Sequence, residues 1–325
     1  MASVQSEPLV RPTRAFFTLA LSTAALTLGL IIFGAIVRVT DSGLGCGNHW
    51  PLCNGSIFPP LDNLTAWIEW THRLIALLIG VFGIMTLVLA WRNYRSKNQN
   101  RTVMTLTSAA AGLYFLQSIL GAIVVKLDLP PTFVTLHLGV AMLLFAALLA
   151  AAVFANYRPT AAQRDQVTTL AYTNAAFALL IILTGALVRG SGATLACTEW
   201  PLCNGSILPI DAGELAMIHM MHRFAVVAFG VALVILVWQV YRTRSDSLIR
   251  GLALGSLIAY GLQAAVGAMY VWSAAAPLAG AAHVGMAATT WGLLVLLCAV
   301  ETMKNNAWLI GQKHEGQWNP QSSNA

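Results

Sequence analysis

Eight stretches of the chain are apolar at nearly every position, near residues 15–37, 66–91, 102–125, 132–155, 168–188, 213–241, 251–272 and 278–300. Each is about the length of helix, roughly 20 residues, that crosses the hydrocarbon core of a bilayer. The second and sixth carry ionisable residues at their starts, in "EWTHR" and "HMMHR". The short alternation and turn spacing of a membrane barrel are absent. The pattern therefore predicts an all-α membrane protein of eight transmembrane helices. The first stretch is longer than a signal-peptide core and ends in "GAIVR", which recurs later in the chain, so it reads as a helix of the mature fold.

Composition agrees, with 58% of the 325 residues hydrophobic and only 9% charged, against about 25% charged in soluble domains. The net charge of +6 follows topology. Thirteen of the 18 Lys and Arg residues fall on the side that holds both termini: Arg11, Arg14, Arg92, Arg95, Lys97, Arg101, Arg158, Arg164, Arg242, Arg244, Arg250, Lys304 and Lys313. The other five are Arg38, Arg73, Lys126, Arg189 and Arg223. This bias predicts a multi-pass protein of the cell membrane with both termini cytoplasmic. It leaves no charge that calls for a nucleic-acid partner.

The eight helices read as four, repeated. "GAIVR" at 34–38 matches "GALVR" at 185–189, and "WPLCNGS" occurs at 50–56 and at 200–206. "LQSILGAIVV" at 116–125 matches "LQAAVGAMYV" at 262–271. Trp50 precedes His72, and Trp200 precedes His222, by the same 22 residues; Gln117 precedes His137, and Gln263 precedes His283, by 20. Four is an even number, so both copies enter from one side. Two parallel four-helix bundles related by a pseudo-two-fold axis along the membrane normal are expected. The expected organisation is an N-terminal half at 1–156, a cytoplasmic linker at 157–166, a C-terminal half at 167–301 and a flexible tail at 302–325, whose His314 has no assigned role.

His72 and His222 lie near the outer start of the second helix of each half, and His137 and His283 near the outer start of the fourth. At about 1.5 Å per residue all four reach a similar depth. Polar hydrogen bonding between helices is one reading. Ionisable residues inside a membrane are expensive and mark function, and two matched pairs favour a metal. No carboxylate or thiolate repeats beside both pairs, so a tetrahedral zinc cage fits poorly. Haem, which needs two axial ligands, fits better. Arg38, Arg73, Arg189 and Arg223 lie at the outer boundary, where they either meet haem propionates or snorkel to the interface.

The copies differ where Glu69, three residues before His72, is replaced by His219. Glu69 is either a proton relay beside a metal or an interfacial partner of Arg73. The asymmetry suggests that one half performs chemistry while the other keeps a permanent cofactor. In the outer loops Cys46 and Cys53 form one pair and Cys197 and Cys203 another. They read as loop-bracing disulfides, with a redox or haem-handling role for the first pair as the alternative. Zinc with His49 as third ligand is weak, because Glu199 replaces it in the second loop. Cys298, in the eighth helix, reads as a packing thiol.

Together the duplicated Cys…WPLCNG loops, "EWTHR", His137, "HRF" at His222 and His283 resemble haem A synthase of the bacterial cysteine-containing type, over roughly residues 15–300. The resemblance implies a membrane oxidoreductase that converts haem O to haem A, oxidising a ring methyl to a formyl by successive hydroxylations and loss of water. It implies haem b on His222 and His283, substrate haem O on His72 and His137, Glu69 as an essential acid, and a Cys46–Cys53 disulfide beside that site. Haem O synthase and a terminal cytochrome oxidase are the partners it implies, and a homo-oligomer is compatible with it. His49 stands where the family pattern has an acidic residue. Two rivals remain: a bis-His di-haem electron carrier of cytochrome b type, and a transporter with parallel repeats. The transporter lacks matched proline breaks in its helices.

Overall fold

In the computed structural model, residues 14–98, 100–157 and 165–315 are described. Arg11, Arg158, Arg164, most of the expected linker and the chain beyond 315 lie outside them, as do the side chains of Lys97, Lys313 and His314. Eight helices follow in order: α1 (Arg14–Val39), α2 (Leu64–Asn93), α3 (Arg101–Lys126), α4 (Pro131–Asn156), α5 (Gln166–Gly190), α6 (Glu214–Thr243), α7 (Ser247–Trp272) and α8 (Pro277–Glu315). All eight are long and apolar enough to span a membrane. The chain is a multi-pass membrane protein.

Local chemistry sets the helix starts. The side chains of Asn63, Asn100, Asp165 and Asp246 accept hydrogen bonds from the free backbone N–H groups of α2, α3, α5 and α7. Pro131 and Pro277 open α4 and α8, where a missing N–H costs nothing. The end of α8 departs from the hydropathy reading. The helix continues to Glu315, past the boundary at 301, and polar side chains just past that point find partners. Thr302 bonds Tyr172 at 2.8 Å and Lys304 lies 3.9 Å from Asp246.

Each set of four helices closes in a ring: α1 on α2, α2 on α3, α3 on α4 and α4 on α1, then the same for α5 to α8. The sets join through α1 on α8, α4 on α5 and α4 on α8. Exchanging the first four helices for the last four maps these neighbour pairs onto one another, with α4–α8 mapped onto itself. α4 and α8 are central: 61% of the most apolar window of each is buried, against at most 28% for the other six. The outer helices turn large apolar side chains outward, among them Leu77, Ile84, Phe115 and Val227. Such a surface suits lipid, where it needs no cover.

Polar links recur in both copies. Tyr114 of α3 donates to the Ala76 carbonyl of α2 at 3.0 Å, and Tyr260 of α7 donates to the Val226 carbonyl of α6 at 3.0 Å. Each phenol lies against a glycine, Gly80 or Gly230, where a side chain would overlap the ring.

At the end of the bundle that carries the α2–α3 and α6–α7 connections the copies diverge. In the first set this region is apolar, formed by Phe16, Ala20, Ala90, Val103, Ala151, Ala152 and Ala155. In the second, the fully buried guanidinium of Arg244 donates to both carboxylate oxygens of Glu301, one at 2.9 Å, and to those of Asp165, one at 2.8 Å. Arg244 thereby ties the end of α6 to the start of α5 and the far part of α8. The Arg244 hydrogen bond holds the Asp165 carboxyl below its usual pKa. Burial alone would lower the pKa of Arg244, but its bonds to Glu301 and Asp165 outweigh this and raise it.

Removing one partner of a buried ion pair strands the others at a cost of about 3–5 kcal/mol. Arg244→Met should lower thermal stability in detergent by a shift of that order, and Arg244→Met with Glu301→Leu should recover much of it. Because the folded-state pKa of Asp165 is depressed, its contribution is present above the unfolded value, about 4, and is lost as pH falls through the folded one. The Arg244→Met difference in melting temperature should therefore shrink in acid.

Candidate functional site

The repeated WPLCNGS segment forms the same structure twice. Asn54 and Gly55 adopt φ of 50° and 83°, and Asn204 and Gly205 adopt 51° and 81°. Two successive positive φ angles are what a two-residue I′ turn requires and what Asn-Gly supplies. The turn is closed by Cys53 and Ser56, whose backbones exchange bonds of 2.8 and 2.9 Å; Cys203 and Ser206 do likewise at 2.9 Å. Both cysteine pairs, Cys46–Cys53 and Cys197–Cys203, are disulfide-bonded. This leaves no thiolate for a zinc site with His49. The sulfurs are buried against Ala66 and Trp70 in the first loop and against Ala216, Met220 and Phe224 in the second. Gly45 lies so close to the Thr65 and Ala66 backbone that any side chain there would overlap it.

Beneath the first loop lies Glu69, only 4% exposed. Its Oε2 accepts the Cys46 backbone N–H at 2.8 Å, and its Oε1 pairs with Arg73 one turn on. Arg73 also donates to the Pro51 and Leu52 carbonyls at 3.1 Å each. The carboxylate, the disulfide and the lid are thus one bonded unit. In the second copy Arg223 donates to the Glu199, Pro201 and Leu202 carbonyls at 2.8–3.1 Å, and its other nitrogen lies 3.3 Å from His219. Arg73 and Arg223 therefore hold the loops down. Arg38 and Arg189 are different: they lie within electrostatic range of each other and of Asp41, with Arg189 3.9 Å from that carboxylate and its Nε buried without a partner.

The four histidines stand on four helices, eight residues into α2 and α6 and six into α4 and α8. In each set the two imidazoles lie within electrostatic range of one another. Each ring packs against a glycine of the preceding helix: His72 on Gly34, His137 on Gly121, His222 on Gly185 and His283 on Gly267. A Cβ at these glycines would come within 3.0–3.3 Å of the ring. The glycines therefore make the space that each imidazole occupies between helices. In the second set Thr184 Oγ1 lies 3.3 Å from His222 Nδ1 and Gln263 Nε2 lies 3.1 Å from His283 Nδ1. In the first set Phe33 stacks on His72, with ring centroids 6.4 Å apart, and His137 Nδ1 is buried without a partner.

This donor set fits haem. It offers paired imidazoles, and among the described residues no group of three His, Cys, Asp or Glu gathers as a zinc cage would need. The buried Nδ1 of His137, which has no partner, is a ring nitrogen still free for a ligand. Several contributors are hard to see in the residue order. The four glycines lie inside recurring stretches, so their repeat positions could have marked them. The turns before α4 and α8 could not: Asp128 and Leu129, and Ala274 and Ala275, all have φ of 51–66° without a glycine.

Because Gly45 is pressed on α2, Gly45→Ala should push the first loop away and lower stability by about 1–3 kcal/mol. Hydrogen exchange at the Cys46 amide should rise as its bond to Glu69 loosens, whereas the second loop should be unaffected.

Comparison with known proteins accords with this architecture. The model of the COX15-CtaA family, cytochrome oxidase assembly protein, matches residues 17–295. A heme A synthase of Symbiobacterium thermophilum is 33% identical over 300 residues, covering 88% of this chain and 95% of that one. That of Geobacillus thermodenitrificans is 33% identical over 312 residues, covering 90% and 94%. That of an Exiguobacterium species is 28% identical over 286 residues, covering 86% and 92%. The similarity spans all eight helices and both loops, as the resemblance read from the residues required, and the chain belongs to the COX15-CtaA family of cytochrome oxidase assembly proteins.

Proposed function

We propose that this protein is the membrane oxidoreductase of haem A biosynthesis, converting a ring methyl of haem O to a formyl group for terminal oxidase assembly. The observation that carries this reading is the matched set of glycine-seated histidine pairs, broken in symmetry by one buried acid. Of the buried acids, Glu69 lies at the loop end of the bundle beside His72, and Glu301 is 18 residues beyond His283 toward the other end. A pure electron carrier with two permanent haems has no need of that difference.

In this reading His222 and His283 hold haem b, and His72 and His137 hold the substrate haem O. When bound, haem b supplies a one-electron transfer centre. The chain's own residues do the rest. Glu69, one helical turn before His72, can take up a proton released as the methyl carbon is oxidised. Its bonds to Cys46 N–H and Arg73 keep it in place beneath the first disulfide loop. Arg73 and Arg223 clamp the two loops as lids, and Arg38 and Arg189 are left to meet carboxylates of the haems. With both termini cytoplasmic, the lids face outward and cover the sites from that side.

Cells that make haem O should accumulate haem A only when this chain is active. Chromatography of extracted pigments should show haem A falling by about 10²-fold or more for Glu69→Gln, the loss expected on removing a general acid–base group. Unchanged haem A in cells without the chain would overturn the proposal. Purified protein should contain haem b, lost in His222→Ala and kept in His72→Ala.

A further inference from the structure

The hydrogen bonds around the histidines distinguish the two haem sites more finely than the ligands do. Thr184 has one hydroxyl proton, and its Oγ1 lies 2.9 Å from the Ile181 carbonyl, which can only accept. Toward His222 Nδ1, 3.3 Å away, Thr184 must then act as acceptor. His222 therefore carries its proton on Nδ1 and keeps the lone pair on Nε2. At His283 the Gln263 amide faces Nδ1, while Gln263 Oε1 is buried without a partner. The two ends of an amide have the same shape. With the two ends exchanged, the amide oxygen accepts from His283 and the ring proton again lies on Nδ1. Gln263 and Gly267 are four residues apart on one face of α7, so together they seat the Nδ1–Cε1 edge of His283.

In the first set Gln117 and Gly121 stand at the same repeat positions, Gly121 against His137, and Gln117 Oε1 and His137 Nδ1 are both buried and unpartnered. The fourth seat breaks the pattern. The residue before Gly185 is Thr184, but the residue before Gly34 is Phe33, which offers His72 a ring face and no acceptor.

We infer that Thr184 and Gln263 are positioning residues that lock His222 and His283 in the iron-binding tautomer, and that Phe33 leaves His72 without such a lock at the substrate site. This rests on the proposed ligand assignment and deepens it. The half with both ligands locked retains its haem, and the half without those bonds can release its product. An Nδ1–H bond raises the basicity of a ligating imidazole, and losing such a partner typically costs 10–100-fold in affinity.

The test uses the purified full chain in detergent, with haem loss followed by transfer to excess apomyoglobin and the haem b potential by redox titration. Thr184→Val, similar in shape but without the acceptor, should speed haem b loss by about 10–100-fold. It should also raise the potential, because a less basic ligand stabilises ferric iron less; Gln263→Leu should do the same. Thr184→Ser should restore both values, which a packing defect would not predict. Phe33→Thr should increase the haem that co-purifies in the first half. Wild-type loss rate and potential in Thr184→Val, or no gain of haem in Phe33→Thr, would overturn the inference. Should His222→Ala keep haem b with unaltered spectra, the ligand assignment itself falls, a distinguishable result.

Discussion

In hydrocarbon, apolar side chains gain little by touching one another instead of lipid, so a helix bundle is held by close packing and by hydrogen bonds between helices. Here both converge on α4 and α8. Met142, Phe145, Leu148 and Leu149 of α4 are buried with Trp291, Leu294 and Leu297 of α8. Gly292 makes room for the Phe145 ring, and Trp291 donates to the Met142 carbonyl at 3.2 Å. Every other helix packs, directly or through one neighbour, on this central pair. Because α4 and α8 also carry His137 and His283, the contact that joins the two sets fixes one histidine of each pair.

Glycine does a second job in the same frame. A helix pair with a side chain at each facing position has no room for an imidazole between its members. Gly34, Gly121, Gly185 and Gly267 open that room at four equivalent places, and Gly80 and Gly230 do so for the two tyrosines. The polar groups of the membrane interior are therefore inserted where the neighbouring backbone is bare. Above them the loops are anchored from below by Arg73 and Arg223, so the lids are tied to the same helices, α2 and α6, that carry His72 and His222. A shift of either lid would be felt within one turn of a histidine.

Three differences between the copies change their bonding. Glu69 against His219 and Phe33 against Thr184 change the loop end of the bundle, and the Arg244 cluster against an apolar patch changes the other. The first two alter what surrounds an imidazole; the third ties α6 to α5 and α8 in the second set. The last two make the second half the more firmly bonded at those places, whereas Glu69 binds the first loop more firmly than His219 binds the second.

The residue order alone determined eight helices, the twofold repeat of a four-helix unit and the placing of the histidines near the loop ends of their helices, because each rests on local spacing or on the length needed to cross a bilayer. It also singled out Glu69, since a repeat exposes its own exceptions. It left Arg73 and Arg223 with the same reading as Arg38 and Arg189, because all four share a depth. Only the packed structure turned two of them toward loop carbonyls more than 20 residues away in the chain. The ring seats, the left-handed residues before α4 and α8, and the Arg244 cluster likewise depend on which helices become neighbours. Hydropathy reports the solvent a helix prefers, but only tertiary contact decides which side chain meets which backbone.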